Sequence, residues 1–141
     1  MQGRYKHLAC FIGPDNTKSG WIRGLPDIVY HNVSMEPLCY EERKEIYSNS
    51  LFVLGFHEPD QVGEDISDNV LEGMNFGCIV LSDNPADALR TGGIVEYVGS
   101  REDMIQRMGE LIWDPERVDA KRQAGHEWVR KYVKTSYGIS L

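Results

Sequence analysis

Two carboxylates, Glu64 and Glu72, stand with seven residues between them and frame Ser67, Asp68 and Asn69. Each of those three is a good N-cap residue, so a helix is expected to start among them. A loop carboxylate and a helix carboxylate at that spacing can face one pocket beside the helix start. Carboxylates accept hydrogen bonds from hydroxyls. The free amides and the dipole at a helix N-terminus suit an anion. The chemistry implied is binding of a hydroxyl-rich ligand that carries phosphate. A plainer account exists for each acid alone. Glu72 could close a capping box with Asn69, and Glu64 lies in an acidic run with Glu58, Asp60, Asp65 and Asp68. That run also has the hard oxygen ligands magnesium takes; solvated side chains are the simpler account of it, and no metal is assigned. The two glutamates together, ahead of Gly73–Leu81, favour the binding role.

The elements that must position these groups are legible in the apolar pattern. Val70, Leu71 and Met74 form one helical stripe, and Gly77 is placed to stop the helix in a left-handed conformation. Cys78–Leu81 is a continuous apolar run, as a strand covered on both faces should be. Residues 7–13, 28–33, 51–56 and 94–98 read as further strands. Helices are expected over 37–49, from Pro85, over 100–112 and from Asp114 to about Lys134. The fold class is therefore α/β: a Rossmann-like three-layer α/β/α arrangement with a mostly parallel sheet of about five strands. Ligands of such sheets bind outside the carboxyl ends of the strands, which puts 57–68 at the functional edge. The helix over 37–49 reads as a crossover with a solvated charged face.

At 141 residues one domain is expected, spanning 1–141. Hydrophobic content of 41% and charged content of 26% are those of an ordinary globular domain. The net charge of −7 argues against non-specific nucleic-acid binding. It also requires local cations wherever an anionic ligand sits. The glycine- and proline-rich loop 13–27 carries Lys18 and Arg23 and by itself reads as plain surface. Cys10, Cys39 and Cys78 lack metal-site or paired spacing and read as reduced thiols of a cytoplasmic protein. No stretch has the length of a membrane span, and no G-x-G-x-x-G indicates a dinucleotide cofactor.

The segment Glu64, then Glu72-Gly-Met-Asn-Phe-Gly-Cys-Ile-Val-Leu-Ser, resembles the "E, seven residues, E-A-M-A-x-G-x-P-V-I" signature. That signature belongs to the donor-binding half of group-1, retaining GT-B glycosyltransferases. Flanking phrases agree from about His7 to Val133, including Tyr47-x-x-Ser50 before the third strand and Asp114-Pro115-Glu116-Arg117 before the last helix. One departure stands out: the loop after Glu64 is polar, where the family carries Phe-Gly near the donor pyrophosphate.

The resemblance implies a nucleotide-diphosphate sugar as donor substrate, with no other cofactor. Glu72 would bind ribose hydroxyls and Glu64 the donor sugar. Amides near Ser67, Asp68 and Asn69 would hold the diphosphate, helped by Lys18 or Arg23. Asn32, Val33 and Ser34, after the second strand, would contact the base. The catalytic residues are not assigned. The upstream acceptor domain is expected to be absent from this chain, so a separate acceptor domain or a homo-oligomer would have to complete a transferase. The alternative is a non-catalytic binding or interaction module derived from that fold. A phospho-receiver of similar topology is disfavoured, because no lysine closely follows the fifth strand.

Overall fold

The computed structural model of the protein describes residues 5–13, 18–33, 35–57 and 66–137. Five parallel strands, β1 (His7–Gly13), β2 (Ile28–Asn32), β3 (Ser50–Gly55), β4 (Ile79–Ser82) and β5 (Glu96–Tyr97), form one sheet in the order β2-β1-β3-β4-β5. Helices α1 (Tyr40–Ser48), α2 (Asp68–Asn75), α3 (Pro85–Arg90), α4 (Arg101–Ile112) and α5 (Pro115–Tyr137) complete it. This is the Rossmann-like α/β fold that the apolar pattern anticipates.

Strand periodicity divides the core into two layers. Ala9, Phe11, Phe52, Leu54, Ile79 and Leu81 point to one face and pack with Met104, Met108 and Leu111 of α4. Cys10, Ile12, Val53 and Val80 point to the other and meet Tyr47, Val70, Met74 and Val129 of α1, α2 and α5. The methionine stripe is thus core. Cys10 and Cys78 are buried, and burial pushes the Cys10 thiol up to about 12, so it stays protonated and inert.

Two glycines set the pose of α2. A β-carbon at Gly73 would stand 2.7 Å from Val53 Cγ2, so the helix lies directly on β3. Gly77 takes φ +83°, which ends the helix and turns the chain into β4. The N-terminus of α2 is thereby fixed over the carboxyl end of the sheet.

Three boundaries differ from the sequence pattern. Helix α1 begins at Tyr40, not Pro37, because Cys39 is its N-cap and the Cys39 N–H donates to Glu42 Oε1 at 3.0 Å. β5 shrinks to Glu96–Tyr97, with Val95 and Val98 still buried beside it. Helix α5 runs on to Tyr137. Among the described residues no helix is long and apolar enough to cross a membrane.

Candidate functional site

The sheet order makes β1 the point where the chain reverses direction: β2 lies on one side of it and β3 on the other. Crossovers leaving in opposite directions open a crevice at the carboxyl ends of these strands. Two adjoining hollows of about 430 and 460 Å³ lie there, within the size range of small-molecule sites. Both are lined by Ile12, Gly13, Val33, Asp68 and Asn69, so they form one cleft. Arg43, Tyr47, Leu71 and Glu72 line one end. Phe11, Phe56, His57 and Ser67 line the other.

The α2 start faces the middle of this cleft. Ser67 is the N-cap residue, yet its side chain caps no amide and instead donates to Asn69 Oδ1 at 2.6 Å. The first amides of the helix have no intrahelical acceptor, as at any helix start. Asp68, exposed in the first turn, adds negative charge at the same place. Glu72 does not close a capping box with Asn69. The Arg43 guanidinium holds it instead, with Nε donating to Oε1 at 2.9 Å and a second nitrogen to Oε2 at 3.0 Å. Arg43 also donates to the Leu38 carbonyl at 2.9 Å.

Tyr47 lies beneath this pair. Its ring is buried, and its hydroxyl has no hydrogen-bond partner among the described residues. Burial, and after it the nearby Cys10 and Glu72, pushes the phenol well above its ordinary range, so it remains a donor.

The other end of the cleft carries a buried charge network. His57 follows β3 and is buried; its Nδ1 lies 2.8 Å from Asp83 Oδ1, and its backbone N–H reaches both Asp83 oxygens at 3.0 Å. Lys18 donates to Asp83 Oδ2 at 2.5 Å and lies 3.4 Å from the His57 carbonyl. On the far side His57 Nε2 is 3.8 Å from Asp87 Oδ2, and Asp87 accepts from Ser82 at 2.7 Å. The hydrogen bond to Asp83 raises the His57 pKa against the opposing effect of burial. Burial disfavours the charged Asp83, but the bonds from His57 and Lys18 outweigh it and lower its pKa.

The residues singled out from sequence divide accordingly. Ser67, Asp68, Asn69, Glu72 and Val33 meet in the cleft. Asn32 ends β2 beside it and is not a lining residue. Lys18 reaches the neighbouring network but is held on Asp83. Arg23 is exposed, and its carbonyl accepts from Arg101 at 2.9 Å, away from the lining residues. Glu64 and Ser34 lie outside the described residues. Arg43 and Tyr47 were not anticipated, because the pattern of α1 reads as a plain crossover. His57 was anticipated only as part of the strand edge. The tyrosine one α-helical turn after Arg43 is the one local signal that these two share a face. Among the described residues, no group of three or more His, Cys, Asp or Glu side chains could hold a metal ion.

Compared with known proteins, the chain matches no family model, no curated protein and no solved structure.

Proposed function

We propose that the chain binds a nucleoside-diphosphate sugar and acts as the donor-binding domain of a glycosyltransferase. The observation that carries this reading is the convergence of Glu72 and the α2 start on one cleft at the β1/β3 switch point. Glu72 supplies a hydroxyl acceptor. The amides at Asp68 and Asn69 supply an anion site, to which the helix dipole adds roughly half a positive charge. Apolar walls from Ile12, Val33 and Leu71 suit the faces of a base and a ribose. Transfer to an acceptor would take place where a second domain, or another copy of the chain, closes over this edge. The sequence signature around Glu72 supports the same ligand class.

A non-catalytic module is the second reading, and one observation favours it: both oxygens of Glu72 already hold Arg43, and Lys18 already holds Asp83. The cleft would then be stapled for stability, not for ligand.

Calorimetric titration with UDP- and GDP-sugars separates the two. The donor-binding reading expects saturable binding that Glu72→Ala weakens at least about tenfold, the loss of hydrogen bonds to a charged acceptor. Absence of heat for every donor supports the module.

A further inference from the structure

We infer that the cleft takes up a proton together with its anionic ligand, at Nε2 of His57, so that affinity falls as pH rises. The inference rests on the nucleotide-sugar reading and concerns a residue outside its signature. His57 follows β3 and lines the hollow that Ser67, Asp68 and Asn69 also line. It is 7% exposed, so a charge on its ring is poorly screened by water. Of the groups lining that hollow, it alone is a histidine, the side chain whose charge changes near neutral pH.

The network around the ring decides which nitrogen titrates. Nδ1 lies 2.8 Å from Asp83 Oδ1. Asp83 is ionised and can only accept, so Nδ1 carries a hydrogen whether the ring is neutral or charged. The proton that comes and goes is therefore the one on Nε2. The carboxylate nearest to Nε2 is Asp87, with Oδ2 at 3.8 Å, and that oxygen already accepts from Ser82 at 2.7 Å. A proton on Nε2 thus has no acceptor within hydrogen-bond distance among the described residues. An anionic oxygen in the adjoining hollow would supply its counter-charge.

Four charged groups surround the ring among the described residues. They are Asp83 after β4, Asp87 of α3, Lys18 from the loop before β2, and Asp68 at the α2 start. While His57 is neutral, three carboxylates outweigh one ammonium, and an anion entering the hollow meets net negative charge. Protonation of His57 offsets one of those charges. By linkage the bound anion must then raise the His57 pKa, and a rise of one unit equals tenfold tighter binding to the protonated form. Affinity is highest below the pKa of the unliganded protein. It falls as pH climbs through that value and levels off above the pKa of the complex.

The test is calorimetric titration with UDP- and GDP-sugars from about pH 6 to 9, in pairs of buffers that differ in ionisation enthalpy. In these ligands the diphosphate is esterified at both ends and does not itself titrate over that range, so any proton taken up belongs to the protein. The unaltered protein should lose about tenfold in affinity across the range and take up part of one proton near its middle. His57→Gln should bind with the weaker, alkaline affinity at every pH and take up none. Should His57→Gln lose its fold, the imidazole resonances of the unaltered protein decide: the His57 pKa must rise when a nucleotide sugar saturates the cleft. Proton uptake retained by His57→Gln, or a His57 pKa that saturation leaves in place, would overturn the role. Binding that is independent of pH, or that tightens as pH rises, overturns the inference and leaves the donor-binding reading standing; no binding of any donor removes both.

Discussion

The Arg43 guanidinium and the Glu72 carboxylate meet as parallel forks, 2.9 and 3.0 Å apart, across the gap between α1 and α2. The pair is partly solvated, so its contribution to stability is small; such pairs are worth about 0–1 kcal/mol. Glu72→Ala should therefore unfold within a few degrees of the unaltered protein while losing nucleotide affinity. A large drop in unfolding temperature would instead mark the pair as a structural staple.

Tyr47→Phe should leave both the fold and nucleotide affinity intact. Removing a buried, unpartnered hydroxyl leaves the free protein as stable or more stable, by up to about 1 kcal/mol. The hydroxyl has no exposed surface in the cleft, so binding should not change. Chemical denaturation and calorimetry on one preparation read both effects.

The His57–Asp83 pair makes stability depend on pH at both ends. His57 has a raised pKa in the folded protein, chiefly through its bond to Asp83. Its contribution is therefore full below the unfolded histidine value and is lost as pH rises through the folded value. Asp83 has a lowered pKa, because its bonds outweigh the effect of burial. Its contribution is present above the unfolded carboxyl value and is lost as pH falls through the folded one. Urea midpoints across that range should show a maximum in weakly acidic solution. Asp83→Asn should flatten the profile and cost about 3 kcal/mol, since it removes the carboxylate that both His57 and Lys18 hold.

Gly73→Ala tests the seating of α2 on β3. Its new methyl would meet Val53 Cγ2 at 2.7 Å. Although alanine is the better helix former by about 1 kcal/mol, overpacking of this kind costs about 1–3 kcal/mol. A net loss of stability is expected, and Val53→Ala in the same chain should recover part of it. A stabilised Gly73→Ala protein would mean that the helix stands farther from the sheet.

Sequence carried much of this architecture because its signals are local. Apolar runs marked β1, β3 and β4, and Gly77 marked the end of α2 through a conformation that side chains resist. The cleft was legible in part for the same reason, since strand ends and a helix start fix its rim. What escaped was tertiary. Arg43 sits on a charged helix face that periodicity assigns to solvent, and only the fold brings it to Glu72, twenty-nine positions later. Asp83 reads as a turn residue, and its grip on His57 depends on β3 and β4 lying side by side. Lys18 was singled out for its charge, but no local rule could show that Asp83 would take it.

The most direct measurement is a backbone NMR titration with UDP, GDP and ADP. Occupation of the crevice should move the amide resonances of Gly13, Val33, Asp68 and Asn69 together, with one saturation curve, and Glu72→Ala should suppress the shifts. Saturable shifts confined to other faces of the sheet, or none with any of the three nucleotides, would contradict a nucleotide site at the β1/β3 edge.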